Sequence, residues 1–249
     1  MLFSNPKRKL IEFTPNIEMA KDFPPIPAKF NLPSWYKEMG SNINGIKDSA
    51  DFRVSTNGSI PFTIKRCVPV SDYLTSGYLI RTFSDMMISQ DIKTSPVEFK
   101  WSLPSKENSS YIFGTHPFSQ CPVKFNNRER HYFKIFSGWR IKTPPGYSCM
   151  FYQNFYSKDD RFSLMPGIVD TDTYDSTIAF PGYVEGDARD VKIQAGTPLV
   201  IAFPFKRDDW SMRINTEVEH DYGMNSSKKF RQYFENVYRN FFHSKKKYD

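Results

Sequence analysis

The sequence predicts a mainly β fold, either a sandwich or a distorted barrel, and three observations support this prediction. Aromatic residues are abundant, with 23 Phe, 14 Tyr and 4 Trp among 249 residues, so a few large side chains can fill a core. The 18 Pro are spread along the whole chain, which suits short strands joined by turns better than long helices. Several segments alternate apolar and polar residues, as half-buried strands do.

The strongest strand signals lie in the second half of the chain. Residues 131–141 predict one long strand, or two strands bent at Gly138. The sequence Thr-Pro-Pro-Gly at 143–146 predicts a tight turn, because Pro and Gly supply its special backbone angles. Residues 199–205 are almost continuously apolar, as in a strand covered on both faces. Further strands are predicted at 62–67, 78–82, 86–89, 97–101, 147–152, 163–169, 177–184, 191–194 and 210–214.

The pattern divides the chain into three regions. Residues 1–60 predict an extended N-terminal arm with a short helix at 33–40, which has Pro in its first turn and Gly at its end. Residues 61–215 predict the β core domain, and residues 216–249 predict a C-terminal helix with a basic tail. The apolar stripe of that helix consists of Phe230, Tyr233, Phe234, Val237, Tyr238, Phe241 and Phe242. Its spacing predicts an amphipathic helix packed on its own domain, with docking to a membrane or a partner as the alternative.

Charge and cysteine content indicate where the protein acts. The net charge is +7, and part of the excess lies in the end clusters 7–9 and 245–247, which are typical of solvated tails. No nucleic-acid recognition motif accompanies these charges, so nucleic acid is not the expected partner. The three cysteines form no CxxC pair, which favours a reducing compartment. No apolar run predicts a signal-peptide core or a membrane span, so we expect a soluble protein without a membrane partner.

Metal and nucleophile sites are predicted only weakly by their spacing. The loops around 159–187 are acidic, and carboxylate oxygens suit hard cations, but turn and capping roles are the simpler explanation of aspartate there. The acidic residues are Asp159, Asp160, Asp170, Asp172, Asp175 and Asp187. His116, Cys121 and His131 match no zinc spacing, so no metal site is predicted.

Four basic residues lie beside aromatic residues near predicted strand ends. They are Arg140, Lys142, Lys206 and Arg207. These residues either line an anion or nucleotide site or are ordinary surface charges beside turns. Ordinary surface charge beside a turn is the favoured interpretation.

Spaced motifs between about residues 24 and 210 resemble a family of uncharacterised proteins of tailed bacteriophages and some bacteria. The motifs are residues 63–69, 75–78, 143–148, 167–172, 195–198 and 204–210. The resemblance implies a phage source, and therefore a location in the cytoplasm of the host cell or in the virion. It implies no particular activity.

Residues 145–205 also resemble the core of the dUTPase and dCTP deaminase superfamily. The shared pieces are the Pro-Gly-Tyr turn at 145–147, the Gly-Ile-Val-Asp segment at 167–170 followed by Tyr174, and the Ile-Gln-Ala-Gly-Thr segment at 193–197. The resemblance implies that Asp170 is the general base of a nucleotide hydrolase that uses Mg²⁺, with Asp172 as a further catalytic candidate, and that Tyr174 packs on the deoxyribose. Arg140, Lys206 and Arg207 are the candidate ligand-binding cations.

The chain departs from that superfamily in the parts that handle phosphates. The hairpin holds one extra residue between Asp170 and Tyr174, and Asp175-Ser176 stands where the family has Arg-Gly. An Arg-Ser-Ser segment and a Gly-rich C-terminal arm are missing, although phosphate chemistry needs cationic and N–H donors. We therefore expect a non-catalytic phage protein, a virion component or a host-interaction factor, that binds a protein partner or itself. A dUTPase-like nucleotide-binding protein or pyrophosphatase is the alternative, and without that activity no cofactor is expected.

Overall fold

A computed structural model describes residues 8–41, 63–91, 98–102, 113–116, 118–120, 132–186, 190–216 and 238–249. The chain divides into two compact units. The first unit combines Met1–Asn31 with Gly77–Arg207, and the second combines Leu32–Ser76 with Asp208–Asp249. Residues of the predicted arm and of the predicted core therefore share the first unit. The division of the chain at residues 60 and 215 stays a prediction.

The strands of the described residues all belong to the first unit. They are β1 (Glu12–Pro15), β2 (Ile26–Pro27), β3 (Tyr78–Arg81), β4 (Met86–Asp91), β5 (Glu98–Ser102), β6 (Phe113–His116), β7 (Tyr132–Lys142), β8 (Tyr147–Tyr152), β9 (Phe162–Leu164), β10 (Gly167–Val169), β11 (Thr177–Val184), β12 (Asp190–Ile193) and β13 (Pro198–Lys206). Every pair of neighbouring strands is antiparallel.

These strands form three open sheets around one apolar core. One sheet has the order β1-β7-β11-β9, with β6 also paired to β7, and the second has the order β10-β8-β13-β3-β2. The third consists of β12, β4 and β5. Fully buried side chains from all three sheets, among them Phe133, Phe151 and Ile88, meet in one cluster. The predicted mainly β fold is confirmed as a sandwich of antiparallel sheets, and none of the described sheets closes into a barrel.

The strand β7 runs unbroken through Gly138, in agreement with the first of the two predicted alternatives. This glycine has a φ of +72°, which residues with a Cβ rarely adopt. Nearby, the register between β7 and β11 shifts, as at a β-bulge, between the pairs Thr177 with Arg140 and Ala179 with Phe136. The positive φ explains why a glycine interrupts an otherwise bulky strand.

The arm contributes strands to the first unit. The register of β1 on β7 pairs Phe13 with Ile141, and β2 pairs Ile26 with Leu79. The 3-10 helix Glu18–Asp22 connects them and buries Ala20 completely. The N-terminal segment is thus part of the sandwich edges.

In the described residues, the second unit contains short helices. They are α1 (Ser34–Glu38), a 3-10 helix (Ile64–Arg66), α2 (Val68–Thr75) and a π-helical turn (Tyr238–Phe242). The Lys65 ammonium group donates to the carbonyl oxygens of Lys37 and Met39, at 2.9 and 2.8 Å, and so satisfies the end of α1. None of the helices in the described residues is long and apolar enough to cross a membrane.

Two strand predictions are wrong, and one helix prediction lies mostly outside the described residues. Within 62–67 the chain forms the 3-10 helix, because the Thr63 hydroxyl accepts the Lys65 N–H at 3.3 Å and caps a turn. Residues 210–214 form no strand in the described part of the chain. Of the predicted C-terminal helix, only the π-helical turn at its end is described.

The positive φ of Gly138 in β7 gives a test with a matched control. A Cβ at position 138 would lie 2.6 Å from Cε1 of Phe83, whereas one at Gly146, with a φ of +82°, meets nothing within 4 Å. Both alanine variants acquire left-handed strain of about 1 kcal/mol. Gly138→Ala should lose about 1–3 kcal/mol more from overpacking, measured by urea unfolding. Equal losses in the two variants would contradict the packing explanation.

Candidate functional site

The two aspartates singled out in the sequence, Asp170 and Asp172, lie in the turn that follows β10. The Tyr174 N–H donates to the Asp170 carbonyl oxygen at 2.8 Å, so the turn is tight. This turn lies against the connection between β7 and β8, since the Thr143 N–H donates to the Thr171 carbonyl oxygen at 3.3 Å. Two turns and the end of β13 therefore meet at one corner of the first unit.

Arg207, which directly follows β13, binds the Asp172 carboxylate with both ends of its guanidinium group. Its Nη1 donates to Oδ1 at 2.8 Å, and its Nη2 contacts Oδ2. The Gly146 N–H donates to Oδ2 at 2.8 Å, so a third donor reaches the same carboxylate. The Arg207 hydrogen bonds, helped by the Gly146 N–H, hold the pKa of Asp172 at about 2, although burial acts in the opposite direction. The Asp172 side chain is only 5% exposed, whereas that of Arg207 is 37% exposed, so the ion pair lies at the surface with its carboxylate covered.

Asp170 lies beside the same guanidinium group but is more accessible. The Ser148 hydroxyl donates to its Oδ1 at 2.6 Å, and the Arg207 Nη1 lies 3.3 Å from that oxygen. The Arg207 Nη1 also donates to the Ser148 hydroxyl oxygen at 2.9 Å. The Asp170 side chain is 60% exposed, and Tyr174 beside it is 44% exposed. Of the two aspartates, Asp170 is therefore the one that a solute can reach.

The layer beneath these carboxylates is buried and inert. Thr171 and Cys149 are fully buried, and the Thr171 hydroxyl lies 3.5 Å from the Cys149 sulfur. The hydroxyl oxygens of Thr143 and Thr171 are 2.7 Å apart. Burial raises the pKa of the Cys149 thiol to about 11, so the reactive thiolate is not formed at neutral pH.

The structure brings only some of the predicted site residues together. Asp170, Asp172, Tyr174 and Arg207 share the corner described above. Arg140 forms an ion pair with Asp175, at 3.2 Å between Nη1 and Oδ1. Lys206 is exposed at the end of β13, with Tyr147 as its register partner on β8.

The other polar candidates have structural contacts of their own. Asp159 forms an ion pair with Arg161, whose hydrogen bonds lower the pKa of Asp159. The Nδ1 atom of His116 contacts Oε1 of Gln120. Within the described residues, no group of three or more His, Cys, Asp or Glu side chains is arranged to hold a metal ion. The remaining candidates Cys121, His131 and Asp187 lie outside the described residues.

The hydrogen bonds of Asp172 and Arg207 connect neighbouring parts of the chain at this corner. Both oxygens of Asp172 accept hydrogen bonds, so Asp172 has little capacity left to take a proton from a reactant. Arg207 contacts two carboxylates and a hydroxyl group, so its charge is already compensated. The roles of Ser148 and the Gly146 N–H could not be predicted from the sequence. Their partners, Asp170 and Asp172, are 22 and 26 residues away along the chain and leave no local pattern.

A second feature is a row of exposed apolar side chains in the second unit. Trp210, Met212 and Ile214 are 90%, 87% and 72% exposed. Residues 208–216 contain no helix, strand, turn or bend, and each of them is exposed. The row was visible in the sequence as an alternating pattern, which predicted a half-buried strand. A segment with that pattern and this exposure is typical of a surface that another molecule covers.

Comparison of the chain with protein-family models and with curated proteins finds no match.

The ion pair of Arg207 with Asp172 predicts a specific pH dependence. Because the folded-state pKa of Asp172 is about 2 and an unfolded aspartate titrates near ~3.9, the pair stabilises the fold fully above about pH 4. That stabilisation is lost as the pH falls toward 2. Arg207→Gln should therefore be less stable than wild type at pH 7, and the difference should shrink between about pH 4 and 2 in urea unfolding.

Lys192→Gln is the matched control, because it removes one positive charge from an exposed residue of β12 and leaves Arg207 and Asp172 in place. We expect its stability relative to wild type to stay nearly constant over the same pH range. A difference for Arg207→Gln that is equally constant would contradict the ion pair.

Proposed function

We propose that this protein is a non-catalytic, phage-associated protein that acts by binding another macromolecule, as a virion component or a host-interaction factor. The observation that carries the proposal is the exposed row of Trp210, Met212 and Ile214. A location in the host cytoplasm or in the virion belongs to the same proposal and rests on the resemblance to phage proteins.

Leaving these apolar side chains in water is unfavourable in free energy, and a partner that covers them removes that cost. Each Å² of apolar surface removed from water contributes about 25 cal/mol, and a large aromatic side chain has on the order of 150–250 Å² to bury. Tryptophan and methionine are enriched in interfaces, and tryptophan is among the residues that carry most binding energy. Three such side chains, spaced every second residue, suit contact with one continuous partner surface.

The polar corner supports the same proposal, because two of its charged side chains already bind each other. Asp172 and Arg207, two residues that nucleotide chemistry would need, are bound to each other. A catalytic carboxylate or phosphate-binding arginine has to face its substrate. The corner thus fits a scaffold better than an active site.

The proposal is tested by photo-crosslinking from the exposed row. A benzoylphenylalanine side chain placed at position 210 should give crosslinked products heavier than the free chain when the cells that naturally make the protein are irradiated. The same group at position 155 is the control, because Phe155 is also an exposed aromatic residue, at 77%, and lies in the first unit. Crosslinks from 210 should exceed those from 155 several-fold. Equal or absent crosslinking at 210 would remove the support for the proposal.

One observation favours a second candidate function, a dUTPase-like nucleotide-binding protein or pyrophosphatase. Asp170 and Tyr174, the proposed general base and the proposed deoxyribose contact, are adjacent on one turn and both exposed. In this alternative, Mg²⁺ would accompany the nucleotide.

The alternative predicts release of pyrophosphate from dUTP or dCTP in the presence of Mg²⁺. Asp170→Asn should then reduce turnover by at least about a hundredfold, because a general base contributes on the order of 10²–10⁴. Asp175→Asn is the control, since Asp175 is paired with Arg140 instead. No turnover by the wild-type protein, or full activity of Asp170→Asn, would rule out the assigned role.

A further inference from the structure

We infer that a recess beside Gln153 in the first unit binds a carboxylate group that carries a short apolar chain. The recess lies against β3 and β13, and its volume is about 340 Å³, including the part that is open to solvent. This volume lies at the lower end of the range for ligand sites, so the recess admits one small chemical group and not a large ligand. The inference goes beyond the proposed function, because it concerns the first unit and not the exposed row.

The amide group of Gln153, which directly follows β8, is oriented with its nitrogen as the remaining donor. The Leu164 N–H donates to Oε1 at 2.7 Å, and because an N–H can only donate, this bond identifies the amide oxygen. The other end, Nε2, is buried and has no hydrogen-bond partner among the described residues. A buried donor without an acceptor is unfavourable in free energy, so an acceptor atom that reaches Nε2 gains a hydrogen bond at little cost.

Two further donors line the same recess. The Tyr156 N–H donates to Oδ1 of Asn154 at 3.0 Å, which uses that oxygen and leaves the amide nitrogen as a donor. Lys158 adds an ammonium group. No lining residue in the described part of the chain is acidic, and the neighbouring Asp159 is paired with Arg161. The recess therefore offers donors and positive charge, which suit an anionic acceptor.

The apolar part of the lining selects the kind of anion. Leu79 of β3 and Ile201 of β13 are register partners, and both line the recess. With Ala28 they form a small apolar cluster that is separate from the main core. A carboxylate with a short aliphatic chain can accept hydrogen bonds through its oxygens while its chain contacts these side chains. Inorganic phosphate and sulfate have no such chain, so a carboxylate fits both parts of the lining.

Sodium butyrate is the probe, and the side-chain amide NMR signals of Gln153 and Asn154 are the readout. Both signals should shift saturably with butyrate at constant ionic strength, with a dissociation constant on the order of 1 mM. Butyramide has the same chain without the charge and should bind about fivefold more weakly, because charge-assisted hydrogen bonds are the stronger ones. The absence of a saturable shift, or equal binding of butyramide, would overturn the inference.

Two variants show whether these donors carry the binding, with the Asn154 signal as the readout. Gln153→Glu keeps an oxygen for the Leu164 N–H but replaces the donor with a second carboxylate oxygen, so butyrate should bind at least about tenfold more weakly. Lys158→Gln removes the positive charge and should weaken binding about fivefold. Lys192→Gln, on β12, is the matched control and should leave binding unchanged. Binding that survives both Gln153→Glu and Lys158→Gln would contradict the assigned donors.

A free acid and the C-terminus of a polypeptide share this chemistry. An acetylated tripeptide that ends in valine separates the two sources. Tighter binding than that of butyrate assigns the site to a polypeptide end, and weaker binding assigns it to a free acid. Neither result affects the exposed row, because Gln153 and Lys158 belong to the first unit and the row belongs to the second. Failure of this inference is therefore distinguishable from failure of the proposed function.

Discussion

The guanidinium group of Arg207 ties three separate pieces of chain into one corner. It binds Asp172 in the turn after β10 and the hydroxyl group of Ser148 at the start of β8. Because Arg207 directly follows β13, the end of that strand is the third piece. The Arg207 N–H donates in addition to the Gly146 carbonyl oxygen at 2.9 Å, in the turn before β8. The turn after β10 depends on this side chain, because Asp172 loses both guanidinium donors without it, whereas the bond to Gly146 comes from the Arg207 backbone.

The corner and the exposed segment support the proposed function in different ways. The ion pair of Arg207 with Asp172 uses both side chains within the fold, although Asp170 beside it is exposed. The exposed apolar side chains lie in the following segment, after residue 207, where the first unit ends. We therefore propose recognition of another macromolecule ahead of nucleotide hydrolysis.

The sequence predicts those elements whose pattern is set locally. The alternation in Thr177–Val184 and the apolar run in Pro198–Lys206 identify two strands nearly to the residue, because burial on a sheet face directly fixes the side-chain pattern. The same rule fails at 210–214, since an alternating pattern does not by itself provide a neighbouring strand to pair with. The sequence predicted individual residues of the site but not their contacts. The hydrogen bond from Ser148 to Asp170, for example, depends on which strands become neighbours in the sheet.

The most direct test of this account is the titration of Asp172 followed by the NMR signal of its carboxyl carbon. If Arg207 and the Gly146 N–H hold this carboxylate as the structure shows, the signal titrates with a pKa of about 2. A pKa near the ordinary aspartate value of ~3.9 would mean that the carboxylate is free in solution. The corner would then have to be reconsidered as a site whose charges are open to a ligand.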